Sequence, residues 1–274
     1  MSSTYQIYLI SDSTGETLDR IFIALRAQFK NFDYTTNQYS FTRTENQINK
    51  ILEKAKKSKN PIILYTIVDN KLAKFLSKGC EKEKLPCFGI LGDLIISFSK
   101  LLNQKASYIP SAQHILDDTY YERIEAIQFT MNHDDGNSLE DIGKSDIIIL
   151  GVSRTSKTPT AIYLANKGIK TANIPLINEN SIPKELKKKN NKICIVGFTT
   201  EPERLLDLRK NRMSSIREAE QTDYTNLEKI INEVDNAKIT FKKYGWPVID
   251  VTRKSVEETA ASVIKIYEII KKND

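Results

Sequence analysis

Lys157 and Thr158 stand side by side at the end of the string Gly151-Val152-Ser153-Arg154-Thr155-Ser156-Lys157-Thr158. A lysine can reach the outer oxygens of a polyphosphate, and the hydroxyl beside it can hold Mg²⁺, provided that the preceding backbone N–H groups point into one concavity. The flanks fit that use. Asp146-Ile147-Ile148-Ile149-Leu150 reads as a strand, and a helix-like segment begins near Pro159. Ser156 occupies the position of the second glycine in the G-x-x-x-x-G-K-[ST] pattern. A non-glycine residue takes positive φ only at a cost, so a differently shaped loop is expected. The plain alternative is a strand-to-helix turn rich in small hydroxyl residues. The strand context and the Lys-Thr pair favour phosphate binding.

Other groups of residues could carry chemistry. Ser11-Asp12-Ser13-Thr14-Gly15-Glu16-Thr17 leaves one strand and opens a helix, so its hydroxyls and free helical N–H groups form a candidate anion seat. Helix capping is the commoner use of such a string and is the expectation from local sequence. Gln128 to Gly136 reads as a polar turn containing His133, Asp134 and Asp135: a histidine beside two carboxylates can supply a general base or hold Mg²⁺, and Asp-Asp-Gly is also simply a good turn. Asp250, near the end of an apolar strand, is a candidate second carboxylate near the phosphate loop. Ser255-Val256-Glu257-Glu258 reads as a capping box. Arg204, Arg209 and Arg212 are spaced so that one helix can present guanidinium groups to phosphates, although a solvated charged face is the default for that spacing.

These residues need elements to position them. Strands are expected at Tyr5 to Ile10, Asn37 to Phe41, Pro61 to Val68 and Cys87 to Ile90, alternating with helices at Glu16 to Phe29, Glu45 to Lys57 and Lys71 to Cys80. The rhythm lapses after about Gln104, where Ser107 to Ser111 connects and Asp117 to Ala126 reads as a linking helix. It resumes at Ile147 with a helix from Thr160 to Lys167 and strands at Thr171 to Ile174 and Lys192 to Gly197. Helices at Pro202 to Arg212 and Asn226 to Phe241, a strand at Pro247 to Val251 and a C-terminal helix complete it. The fold class is α/β: an N-terminal doubly wound α/β domain over residues 1–105, a connecting segment 106–140, and an α/β domain with a phosphate loop over 141–274. Ligand groups should collect at the carboxyl ends of the parallel strands. No internal repeat stands out.

The 274 residues suffice for one large or two smaller domains. The net charge of +6 suits an anionic partner, but the excess is diffuse lysine, as in Lys187-Lys188-Lys189-Asn190-Asn191, and no interleaved aromatic and basic pattern points to nucleic acid. Two histidines and three irregularly spaced cysteines, Cys80, Cys87 and Cys194, offer no zinc spacing; a reduced, cytoplasmic protein is expected. No apolar run is long enough to span a bilayer, and Met1 to Leu9 does not read as a secretory signal.

Ser11 to Thr17, Ala126 to Gly136, Asp146 to Thr160, Ala172-Asn173-Ile174-Pro175-Leu176 and Asp250 to Ala260 together resemble one family, in order and over nearly the whole chain. It is the pyruvate, phosphate dikinase regulatory proteins, with the related phosphoenolpyruvate synthase regulatory proteins. Gly-Val-Ser-Arg-Thr-Ser-Lys-Thr-Pro-Thr, with serine in place of glycine, is that family's own pattern. The resemblance implies a bifunctional enzyme that uses ADP to phosphorylate and inactivate a threonine of the dikinase, and reverses this with inorganic phosphate, releasing pyrophosphate. It implies that Gly151, Val152, Ser153, Arg154, Thr155, Ser156, Lys157 and Thr158 bind ADP, and that the protein is a homodimer. It does not assign a general base.

Phosphoryl transfer rests on positioning and charge neutralisation, so Lys157, Arg154 and a Mg²⁺ held by Thr158 are the parts to expect. The candidates for the base are Asp134 or Asp135 with His133, then Asp12; Ser11, Asp12, Ser13, Thr14, Gly15 and Asp250 are a candidate phosphate or acceptor site. The same chemistry on the synthase, a small-molecule kinase and a nucleotide-gated binding module are the alternatives.

Overall fold

The computed structural model describes residues 4–112, 118–187, 193–216 and 223–272. The chain divides into two compact units, Met1–Ile115 and Leu116–Asp274.

In the first unit, strands β1 (Tyr5–Ile10), β2 (Tyr34–Tyr39), β3 (Pro61–Tyr65) and β4 (Cys87–Gly89) form a parallel sheet in the order β2-β1-β3-β4. Alternation along β1 builds two cores. Ile7 and Leu9 meet Leu18 and Phe22 of α1 (Glu16–Arg26) on one face. Tyr8 and Ile10 face Ile48, Ile51, Leu52 and Ala55 of α2 (Glu45–Lys57) and Leu76 and Cys80 of α3 (Asn70–Lys82) on the other. The 48, 51, 52, 55 spacing is one helical stripe. Thr44 and Gln47 start α2 with a capping box, and the Asp69 carboxylate caps α3.

The second unit repeats this plan. Strands β5 (Ile147–Gly151), β6 (Thr171–Pro175), β7 (Cys194–Thr199) and β8 (Val248–Asp250) lie parallel in the order β6-β5-β7-β8. Ile147 and Ile149 pack toward α6 (Lys157–Ala165) and α9 (Val256–Lys272). Ile148 and Leu150 pack toward α7 (Pro202–Ile216) and α8 (Leu227–Tyr244). A Cβ at Gly197 would sit 2.5 Å from the Phe241 ring, so that glycine lets α8 close on β7. Burying Phe241 contributes roughly 2 kcal/mol. In both units the first strand is flanked by the second and third, which places the topological switch point at the carboxyl end of β1 and again at that of β5.

Several boundaries differ from expectation for identifiable reasons. Pairing from Tyr5↔Tyr34 to Ile10↔Tyr39 sets β2, and Phe41 is left-handed at φ 53°, so the strand expected at Asn37 to Phe41 starts and ends earlier. Helix α4 (Gly92–Leu101) is unanticipated, and none of its side chains is buried. The polar turn expected from Gln128 is helical as far as Asn132. Helix α5 (Asp118–Asn132) buries Ala126 completely, and its Thr130 Oγ1 accepts the Thr171 N–H at 3.1 Å. It packs on β6 and α6, so residues assigned to a connection belong to the second unit. Helix α6 starts at Lys157 rather than Thr160, since Pro159 in the first turn lacks an N–H that would have no helical partner anyway. Asp117, Lys188 to Asn191 and Lys192, named in the sequence expectations, lie outside the described residues.

Candidate active site

Strand β5 is wholly buried and delivers the chain at Gly151 to the loop Val152–Ser156. A Cβ on Gly151 would stand 2.8 Å from Thr155 Oγ1 and 3.0 Å from the Phe198 carbonyl, so only glycine allows this close approach. Arg154 (φ 71°) and Ser156 (φ 58°) are both left-handed, each at a cost on the order of 1 kcal/mol. Local bonds hold that shape: the Thr155 hydroxyl donates to the Val152 carbonyl at 2.9 Å, and the Thr160 hydroxyl to the Ser156 carbonyl at 2.8 Å. The unusual serine therefore adopts the conformation that glycine would supply. As N-cap of α6 it makes no side-chain cap, which leaves the first-turn N–H groups open.

Lys157 is 5% exposed, and its ammonium donates to the Val152 carbonyl at 3.0 Å. Burial pushes its pKa down to about 8. Asp135 and Asp134 work against that shift, while Arg209 and Arg154 add to it. Four charged groups thus surround one buried lysine. The next residue, Thr158, donates its hydroxyl to Asp134 Oδ1 at 2.8 Å, and Asn173 Nδ2 donates to the same oxygen at 2.5 Å. Asn173, fully buried on β6, also accepts the Asp135 N–H at 3.1 Å and gives its own N–H to the His133 carbonyl at 3.2 Å. A left-handed Asp135 (φ 51°) and Gly136 (φ 80°) complete the turn, so the Asp-Asp-Gly signal is both a turn and a carboxylate holder.

His133 is placed differently. Its ring stacks on Phe129 with centroids 3.9 Å apart, and Nδ1 donates to the Phe129 carbonyl at 2.8 Å. Nε2 is buried and has no partner among the described residues.

Tyr224 secures the outer side of the loop. Its hydroxyl lies 3.2 Å from Ser153 Oγ and accepts from Arg154 Nε at 3.3 Å. Beneath it lies Arg209, 1% exposed, with its guanidinium 4.5 Å from the Tyr224 ring centroid. Arg209 forks onto Glu233 (Nη2 to Oε2, 2.6 Å; Nη1 to Oε1, 3.3 Å) and donates to the Tyr224 carbonyl at 3.2 Å. The arginine read as a phosphate contact is thus a buried support. Tyr224, Asn173 and the Arg209–Glu233 pair are parts the sequence reading missed; a polar Asn in the interior of an otherwise buried strand was the one available signal.

The remaining candidates lie elsewhere. Asp250 sits on edge strand β8, with β7 between it and β5, and its carboxylate accepts the Thr252 N–H at 2.8 Å. Hydrogen bonding from the Thr252 side chain, and less from its N–H, holds the Asp250 pKa below the usual carboxylate range. Ser255 and Glu258 form the expected reciprocal cap of α9. Ser11, Asp12, Ser13, Thr14 and Gly15 belong to the first unit. The capping expected there is absent: Gly15 (φ 87°) is the N-cap of α1 and no side chain caps the helix.

A family model described as kinase/pyrophosphorylase matches residues 7–264. The chain belongs to the kinase/pyrophosphorylase family. It is 67% identical over 273 residues to a Pelagibacter ubique (strain HTCC1062) protein named "Putative pyruvate, phosphate dikinase regulatory protein", with all of both chains covered. Proteins of the same name from Sphingopyxis alaskensis (43% over 266 residues; 97% of this chain, 98% of theirs) and Caulobacter vibrioides (40% over 262 residues; 96% and 82%) are also similar.

For a member of a kinase family, the paired Thr158 hydroxyl and Asp134 carboxylate are a suitable donor set for Mg²⁺, which binds through one or two protein oxygens and completes its sphere with phosphate and water. Among the described residues no three His, Cys, Asp or Glu side chains gather to hold a metal by themselves, and no helix is long and apolar enough to cross a membrane.

Proposed function

We propose that this protein is an ADP-dependent threonine kinase and phosphate-dependent phosphorylase acting on pyruvate, phosphate dikinase. The observation that carries the reading is the junction of Lys157, Thr158 and Asp134 at an uncapped helix start, in a chain whose relatives are named as regulators of that enzyme. Residues 151–158 form the nucleotide site of the second unit. First-turn N–H groups and Lys157 hold the diphosphate, and Arg154, its Nε already on Tyr224, turns its exposed guanidinium to the transferred group. Thr158 Oγ1 and Asp134 would hold Mg²⁺, which supplies charge neutralisation at the phosphates.

Asp134 is committed to Thr158 and Asn173, whereas Asp135 is exposed at the tip of the turn and close enough to Lys157 to raise its pKa. Asp135 therefore accepts the proton of the incoming threonine hydroxyl. In the forward direction that oxygen bonds to the β-phosphorus of ADP, the β-phosphorus to bridging-oxygen bond breaks, and AMP leaves. In the reverse direction an oxygen of inorganic phosphate attacks the phosphothreonine phosphorus, and threonine and pyrophosphate result. Both directions use one pocket. Partner and chemistry are those of the cytoplasm, and a homodimer is the proposed assembly.

The test incubates purified protein and Mg²⁺ with ADP or ATP and with dikinase or phosphoenolpyruvate synthase, following threonine phosphorylation by peptide mass spectrometry. Phosphothreonine on the dikinase that requires ADP and disappears with phosphate supports the reading. Modification of the synthase alone, or neither protein modified while nucleotide binds, overturns it.

A further inference from the structure

Strand β6 is one edge of the second sheet, and an edge strand presents main-chain groups to any chain that can add to it. The Leu176 N–H donates to the Gly151 carbonyl at 2.9 Å, so by alternation Thr171, Asn173, Pro175 and Ile177 turn their main-chain groups outward. The amino end of that outer row is closed. The Thr171 N–H goes to Thr130 Oγ1 at 3.1 Å and the Asn173 N–H to the His133 carbonyl at 3.2 Å. The carboxyl end is open: Pro175 has no N–H, and that of Ile177 has no hydrogen bond among the described residues.

The Ile177 side chain is 77% exposed, yet both neighbours are anchored. Leu176 is buried. On the other side Asn178 Oδ1 accepts the Asn180 N–H at 2.9 Å, and the Glu179 carboxylate takes Lys243 Nζ and the Tyr244 hydroxyl, each at 2.6 Å. An aliphatic side chain held in the open at an unpaired sheet edge suits a partner that supplies main chain and side chain together. The opening also adjoins the groups proposed for catalysis. The Asp135 N–H is bonded to Asn173 Oδ1 at 3.1 Å, a Cβ on Gly136 would stand 3.5 Å from Pro175 Cδ, and Leu176 is bonded to the first residue of the phosphate loop.

We infer that the acceptor segment of the protein substrate docks here as a short added strand parallel to β6. A parallel neighbour fills the Pro175 carbonyl and the Ile177 N–H with the N–H and C=O of one residue. The chain preceding that residue then runs toward Asp135, which brings the acceptor threonine to the phosphate loop. Main-chain bonds hold the segment, and an apolar side chain of the segment packs on Ile177. A second copy of this chain is a poorer occupant, because two open residues, one of them proline, are too short a rung for two β6 strands to pair with each other. The inference rests on the threonine-kinase activity proposed above and adds how the acceptor is held.

The test combines hydrogen–deuterium exchange of the full chain, with and without intact dikinase, and the phosphorylation kinetics of two variants. Dikinase should protect peptides spanning residues 174–180, and ADP alone should not. Ile177→Pro removes the open N–H, and Leu176 continues the β6 ladder, so a proline after it is tolerated. It should raise KM for the dikinase about ten-fold, with KM for ADP and the circular dichroism unchanged. Ile177→Ala keeps the N–H and should raise it only about three-fold. Phosphorylation with 174–180 unprotected, or an unchanged KM in Ile177→Pro, overturns the inference and leaves the kinase reading standing. Protection by dikinase without phosphorylation supports the docking edge and sinks the kinase reading, whereas neither protection nor phosphorylation overturns both. Protection that grows with the concentration of this chain alone would give the edge to a second copy and overturn the inference too.

Discussion

The loop after β1 and the loop after β5 are built on the same plan and equipped differently. Each leaves the first strand of a four-stranded parallel sheet of identical order, and each enters its helix through a left-handed N-cap with no side-chain cap, Gly15 in one and Ser156 in the other. By contrast α2, α3 and α8 are capped by Thr44, Asp69 and Asn226. The next residues are Glu16-Thr17 and Lys157-Thr158. In the second unit the threonine meets Asp134 from the preceding turn and the lysine is buried among charges; in the first unit the carboxylate is Asp12, in the loop itself. A shared backbone concavity thus suits an anion in both, and only the side chains around α6 suit phosphoryl transfer.

Removing the lysine should break the contrast most severely. Lys157→Met is expected to lower threonine phosphorylation about 10³-fold. The same change should raise stability near pH 7 by about 1–2 kcal/mol, since a cation whose pKa is held at about 8 instead of 10.5 is destabilised by burial, partly offset by its lost bond to Val152. The sign follows from proton counting. Between about 8 and 10.5 the unfolded lysine is protonated and the folded one is not, so the stability of the unsubstituted protein rises through that window while the Met variant stays flat. Urea unfolding at pH 7 and pH 10 should show the gap closing.

Asp134→Asn comes next, with a loss of about 10²-fold in kcat and a higher Mg²⁺ requirement, read from a metal titration of the rate. Tyr224→Phe removes the hydroxyl between Ser153 and Arg154 and should raise KM for ADP by about 3–10-fold with kcat unchanged, the effect of about 1 kcal/mol of lost hydrogen bonding. The smallest effect is expected from Glu16→Lys. It installs the α6 lysine in the first unit, yet should change phosphorylation by less than about two-fold and restore nothing in a Lys157→Met background, because no Asp134–Thr158 pair comes with it.

The sequence made the second loop legible because every signal in it is local: the Ile147 to Leu150 run, the small loop residues and the Lys-Thr pair lie within a dozen positions. Strand and helix alternation was legible for the same reason. What it hid was long-range. Tyr224 lies 71 residues from Ser153, and Asn173 lies 39 from Asp134. Arg209 shares the spacing of a solvated helix face and is buried only because Glu233 and Tyr224 cover it. For the Ser11 to Thr17 string, local sequence left a cap and an anion seat both open, because they use the same residue types; the left-handed Gly15, with no side-chain cap on α1, speaks against the cap.

Hydrogen–deuterium exchange with ADP and Mg²⁺ tests the central claim most directly, that the loop after β5 is the nucleotide site and the loop after β1 is not. Protection should appear in peptides spanning residues 149–160 and be absent from 9–18. Protection of 9–18 with 149–160 unchanged would contradict the account.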